Sequence, residues 1–182
     1  YSANNQVIMA DEIYPDIKSV SHESGLETGD IVLSINNIPV ETFSDISEIV
    51  GTNPEVKLNF EILRDNEVLN FELEPILDTE TGLGKIGVLN WIDPIIEQVE
   101  TDSLASKAGI LPKDIIISIN NIPIRNTTEI RKNIYPNDYS TIQLERIIDG
   151  EKKLIETNFF IKENEPIGLQ FYIPKHEAKK YS

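Results

Sequence analysis

The sequence predicts an α+β fold made of two copies of one small domain, each a half-open β-barrel with a short helix and a longer capped helix. Two observations carry this. The six residues Ser34-Ile35-Asn36-Asn37-Ile38-Pro39 return unchanged as Ser118-Ile119-Asn120-Asn121-Ile122-Pro123, 84 positions later. Gly25 and Asp30 keep the same offset to Gly109 and Asp114. Such a period exceeds the roughly 20–50 residues of a solenoid repeat, so it marks duplicated domains. In each copy an apolar run meets an Asn-Asn turn, and asparagine tolerates the left-handed backbone of a tight hairpin.

The first copy opens on Val7-Ile8-Met9, a short strand, and Ile17 to Val20 gives a second, weaker strand signal. Ile31-Val32-Leu33-Ser34-Ile35 is a continuous apolar run of the kind buried on both faces. Thr42 caps a helix with Asp45 three residues on, and Phe43, Ile46, Ile49 and Val50 share a face. Gly51 and Pro54 end that helix. Val56, Leu58, Phe60 and Ile62 alternate with polar residues, and Val68 to Leu73 returns as the hairpin partner. Residues 75–85, with Thr79-Glu80-Thr81-Gly82, form the expected linker.

The second copy repeats the order. Strands are expected at Ile86 to Leu89 and Ile95 to Val99, and a short helix at Ser103 to Ala108 closed by Gly109. Ile115 to Ile119 is the buried strand, Asn126 caps a helix with Glu129, and Ile130 and Ile134 share its face. Ile142, Leu144 and Ile148 belong to a strand that turns at Asp149-Gly150 and pairs back over Lys152 to Phe160. Ile167 to Phe171 closes the copy, and a polar tail follows.

Composition narrows the function classes. With 182 residues and 40% hydrophobic content, the chain can build two cores. Sixteen basic against thirty-one acidic residues give a net charge of −15, which repels nucleic acid and anionic lipid. Cysteine is absent, so disulfides and thiolate chemistry are excluded. No apolar stretch approaches the roughly 20 residues that span a bilayer. The chain begins at Tyr1 and is expected to be a soluble, monomeric piece of a longer protein.

Ser103-Leu104-Ala105-Ser106-Lys107-Ala108-Gly109-Ile110, Lys113-Asp114 and Ile117-Ser118-Ile119-Asn120-Asn121 together resemble the bacterial PDZ signature. The first copy keeps Ser24-Gly25-Leu26 and Gly29-Asp30, while Lys113 stands where the second copy would have the turn glycine. Val20 and Val99 lie 79 apart against 84 for the glycines, which implies that the first copy lacks five residues of the short helix. Leu83-Gly84-Lys85-Ile86-Gly87-Val88, Ile92-Asp93-Pro94, and Pro166-Ile167-Gly168-Leu169 are similar to the tandem, circularly permuted PDZ region of site-2 intramembrane zinc metalloproteases of the RseP type.

That resemblance implies a first domain over 1–78, a linker and carboxylate-binding loop over 79–85, a second domain over 86–174, and a tail over 175–182 leading toward the membrane. It implies a non-catalytic module on the periplasmic, extracytoplasmic face of a bacterial membrane. There the pair would filter substrates by size in regulated intramembrane proteolysis, with protein or peptide partners bound through free C-termini. Zinc is expected only in the membrane-embedded parent, and this chain is expected to hold no cofactor, metal or catalytic group. Its only histidines, His22 and His176, are each followed by Glu but by no second His at helical spacing, so both read as isolated surface residues. The alternatives are the PDZ pair of an HtrA-like serine protease and a non-proteolytic envelope scaffold.

Peptide binding is expected by strand addition. In the second copy the loop Gly82, Leu83, Gly84 and Lys85, the strand Ile86, Gly87, Val88 and Leu89, and the helix residues Thr127, Ile130 and Ile134 would frame the groove. In the first, the strand Val7, Ile8, Met9 and Ala10 would face Phe43, Ile46 and Ile49. Core packing would explain the helix residues equally well. Trp91 is expected as a packing residue.

Overall fold

Both Asn-Asn pairs adopt positive φ, with Asn36 at 49°, Asn37 at 62°, Asn120 at 50° and Asn121 at 65°. These left-handed pairs set the strand order of a computed structural model that describes residues 3–173. The chain divides into two compact units, the first running through Trp91 and the second beginning at Ile92.

In the first unit, β1 (Val7–Met9) leads through two four-residue helices, α1 (Ala10–Ile13) and α2 (Val20–Glu23), to β2 (Ile31–Ile35) and β3 (Ile38–Pro39). Then come α3 (Phe43–Gly51), the hairpin β4 (Leu58–Arg64) and β5 (Glu67–Leu73), and three short strands: β6 (Ile76–Leu77), β7 (Gly84–Lys85) and β8 (Val88–Asn90). The four-stranded antiparallel sheet runs β3-β2-β4-β5, while β1 pairs with β8 and β6 with β7. The Asn36 side chain continues the turn into the sheet by accepting from Asn59 N–H at 2.8 Å.

The second unit repeats this with β9 (Ile96–Val99), α4 (Leu104–Lys107), β10 (Ile115–Ile119), β11 (Ile122–Pro123), α5 (Thr128–Asn133), β12 (Asp138–Ile148), β13 (Glu151–Ile161) and β14 (Leu169–Phe171). Its sheet runs β11-β10-β12-β13, and β14 pairs with β9 as β8 pairs with β1. Asn120 accepts from Thr141 N–H at 2.9 Å, matching the Asn36 contact. Each unit is a half-open barrel around its own core. Phe60, Ile35, Leu58 and Ile62 centre the first, and Ile96, Ile116, Ile119 and Ile142 the second. Burying each such side chain contributes about 1.5–3 kcal/mol.

Several expectations fail here. The boundary falls after Trp91 instead of near residue 78, and the supposed linker over 79–85 lies within the β6–β7 hairpin region of the first unit. The reason is long-range pairing: Val7, Ile8 and Met9 take Asn90, Leu89 and Val88 as their antiparallel partners. The short helix of the first copy is complete, because Ser19 caps α2 by accepting from His22 N–H as Ser103 caps α4. The bridges Gln6–Ile31 and Ile95–Ile115 show an offset of 89 at β1/β9 but 84 at β2/β10. The first unit therefore carries about five extra residues between β1 and α2, including α1, where five missing ones were expected. Residues Ile17 to Ser19 form no strand.

The strands expected to be buried on both faces are covered on one. Ile117 is 37% exposed, and register shifts fall at Ile116/Ser118 and at Val32/Ser34. Trp91 donates its backbone N–H to Gln6 O at 3.1 Å and closes the first unit. Its ring lies 4.0 Å from where a Cβ on Gly29 would stand.

Candidate peptide-binding groove

α3 owes its length and placement to sequence signals that are easily traced. Thr42 and Asp45 complete a capping box, and Ile46 and Val50 bury one face in the core. Opposite that helix runs the segment 84–89. One edge of β8 is hydrogen-bonded to β1, and no strand occupies its other edge among the described residues. Between helix and segment lies a groove of about 540 Å³, within the range of ligand pockets. Phe43, Ile46, Ser47 and Val50 wall it on the helix side, and Gly84, Lys85, Ile86, Gly87, Val88 and Leu89 on the other.

The loop that leads into the segment is held by Asp78. Its Oδ1 accepts from Glu80 N–H at 3.0 Å, its carbonyl accepts from Gly82 N–H at 2.7 Å, and its N–H donates to Leu83 O at 2.9 Å. The Glu80 N–H, then Lys85 and Thr81, hold the Asp78 carboxyl below its ordinary range. Lys85 Nζ lies 3.2 Å from Asp78 Oδ2, so much of the charge expected of Lys85 is already answered.

Two glycines are fixed by packing. A Cβ on Gly84 would stand 2.2 Å from Val50 O, at the end of α3. Gly87 has φ +75°, and its Cβ would stand 2.6 Å from Lys18 O. Gly82, at φ +73°, has open space around it. The second unit repeats the arrangement. Gly168 has φ +88° and presses on Ser103, as Gly87 presses on Ser19. Ile86 O accepts from Ser21 N–H at 3.1 Å, and Ile167 O from Ala105 N–H at 3.0 Å. The counterpart of Ile86-Gly87-Val88 is therefore Ile167-Gly168-Leu169.

The structure redistributes the expected site residues. Gly82 to Leu89 belong to the first unit and face Phe43 and Ile46 there, whereas Thr127, Ile130 and Ile134 belong to the second unit. Ile130 is 5% exposed in the second core and Ile134 packs against it, as the packing reading has it. Val7, Ile8 and Met9 are 1%, 1% and 0% exposed, an interior strand, and of the expected four only Ala10 reaches the groove. Ile49 packs partly against the core. Leu83, 48% exposed, lines the groove. Sequence reasoning missed Ser47 and the contributions of Ile17 and Lys18. The recurrence of Ile-Gly-aliphatic 81 positions apart was the signal that could have found the correct strand.

His22 is no isolated histidine, since its Nδ1 lies 2.7 Å from Asp11 Oδ2. His176 lies outside the described residues, as does the tail from 175 onward. Among the described residues no group of three or more His, Asp or Glu side chains is placed to hold a metal ion. No helix among them is long and apolar enough to cross a membrane.

The sequence pattern described as "PDZ domain" matches residues 14–64 and again 95–152, more than half of the chain. The chain belongs to the PDZ domain family. The chain is similar to "Putative zinc metalloprotease" from Treponema pallidum, 32% identical over 101 residues, covering 56% of this chain and 22% of the relative. A protein of the same name from Borreliella burgdorferi is 29% identical over 157 residues, covering 84% of this chain and 34% of the relative. "Periplasmic serine endoprotease DegP" of Escherichia coli is 27% identical over 127 residues, covering 63% and 27%. The chain thus spans about a fifth to a third of the length of these relatives.

Proposed function

We propose that this PDZ pair is a non-catalytic substrate-handling module of an extracytoplasmic, membrane-embedded zinc protease of the site-2 type, and that the first unit binds extended peptide ends. The parent's zinc would lie outside this chain. The open edge of β8 beside the apolar face of α3 carries the reading. An incoming strand would add to that edge through main-chain hydrogen bonds and place alternate side chains against Phe43, Ile46 and Val50. Leu83, Gly84 and Lys85 line the groove at the end where a terminal carboxylate would sit. In the second unit Glu165-Pro166 precedes the corresponding strand, and no Gly-Leu-Gly loop stands there. Peptide capture is therefore assigned to the first unit alone. Both units would also act sterically, holding bulky folded substrates away from the parent's catalytic site.

The resemblance to DegP supports a second reading, the PDZ pair of an envelope serine protease. Both readings share the groove, and the flanking gene sequence separates them. Apolar spans with His-Glu-x-x-His mark the first, and a Ser/His/Asp domain marks the second.

Ser47 is exposed and lines the groove, so Ser47→Trp fills the groove while leaving the core intact. Labelled peptides with a free apolar C-terminus should bind the chain. Amidation or Ser47→Trp should weaken binding by about tenfold or more, a loss of about 1.4 kcal/mol. Peptides that bind both proteins equally, or neither, would remove the capture function and leave only the steric one.

A further inference from the structure

We propose that the groove selects peptides with an acidic side chain one to three residues before their apolar C-terminal end, and that Lys18 reads that charge. The inference rests on the reading of the groove as a peptide site and adds its specificity. Its origin is the difference between the two copies. The extra residues between β1 and α2 of the first unit have no counterpart in the second, where β9 reaches the Ser103 cap after only three residues. The β1–α2 segment that this insertion lengthens supplies Ala10, Ile17 and Lys18 to the groove wall.

Lys18 lines the groove beside the residues that lead from the Gly84–Lys85 loop into β8. Its carbonyl packs against Gly87, two residues beyond Lys85. A peptide ending at the Gly84–Lys85 loop would therefore pass Lys18 with the residues just upstream of its terminus. The charges in the groove point the same way. Its lining holds three charged residues, Lys18, Asp78 and Lys85, and the latter two pair with each other at 3.2 Å. Lys18 is exposed, and no carboxylate among the described residues lies within ion-pair distance of it. On a chain of net charge −15, most of the surface repels an acidic peptide, and an unanswered cation on the groove wall gives it one favoured landing point.

An exposed ion pair contributes modestly, on the order of two- to fivefold in affinity. The test uses the full chain and fluorescent peptides that share an apolar C-terminal residue and carry Glu, Gln or Lys at each of the three preceding positions. At one of these positions the Glu peptide should bind about two- to fivefold more tightly than the Gln peptide, and high salt should erase the difference. Lys18→Gln should abolish the preference, and Lys18→Glu should invert it in favour of Lys. A Glu preference unchanged in Lys18→Gln, or no preference at any position, overturns the assignment while leaving the groove a peptide site. Binding by no peptide overturns the assignment and the peptide-site reading together.

Discussion

His22 shows how one side chain ties the inserted segment to the barrel. Its Nδ1 meets Asp11 Oδ2 at 2.7 Å, joining α1 to α2. The Asp11 hydrogen bond, then its charge, raises the His22 pKa above the ordinary 6.5. Since the folded value is the higher one, the stabilisation is fully present below 6.5 and is lost as pH rises through the folded pKa. An NMR titration should therefore find His22 titrating above 6.5, and Asp11→Asn should lower that value. The stability gap between the wild type and Asp11→Asn should likewise shrink as the solution becomes alkaline. A gap that stays constant across that range would mean that Asp11 acts by some route other than His22 protonation.

At the scale of elements, the glycines of the 82–87 segment decide how closely loop and strand can approach α3 and α2. Gly82→Ala meets only the left-handed backbone cost, about 1 kcal/mol. Gly84→Ala forces a methyl onto Val50 O and should cost about 1–3 kcal/mol. Gly87→Ala carries both penalties and should cost most. Urea unfolding midpoints would check that order, and a Gly84→Ala protein as stable as the wild type would refute the packing argument. The same segment marks the limit of what the sequence could tell. The duplicated hexapeptide, the Thr42-Asp45 cap and the α4 stretch are local signals, and the structure agrees with each. The partner of Gly84 to Leu89 is a non-local matter. Glycine and valine suit a strand in either copy, and only the pairing of Val7 to Met9 with Val88 to Asn90 assigns it to the first. Val20 and Val99 are likewise no counterparts, since Val20 opens α2 behind the Ser19 cap and Val99 ends β9, so their spacing marks no deletion.

At the scale of the whole molecule, the duplication extends to a buried ion pair in each unit. Arg64 holds Asp30 through Nε and Nη2, both at 2.8 Å, and Arg146 holds Asp114 at 2.9 and 2.8 Å. Each guanidinium also donates to the glycine carbonyl after the short helix, Gly25 O at 2.9 Å and Gly109 O at 2.8 Å. The hydrogen bond to the aspartate raises the pKa of both arginines. Each aspartate in turn accepts from a turn N–H at 2.9 Å, that of Glu27 or Leu111. One carboxylate, 1% exposed, thus joins hairpin, turn and short helix in each unit. Removing it strands a guanidinium that is 22% or 20% exposed, so the cost should fall near the lower end for broken buried pairs, about 3 kcal/mol. Because each pair sits with its own core, Asp30→Ala should reduce hydrogen-exchange protection within 3–91 and spare 92–173, and Asp114→Ala should do the converse. If either substitution lowered protection equally throughout, the two copies would fold as one cooperative unit, and the duplication would be structural ancestry without energetic independence.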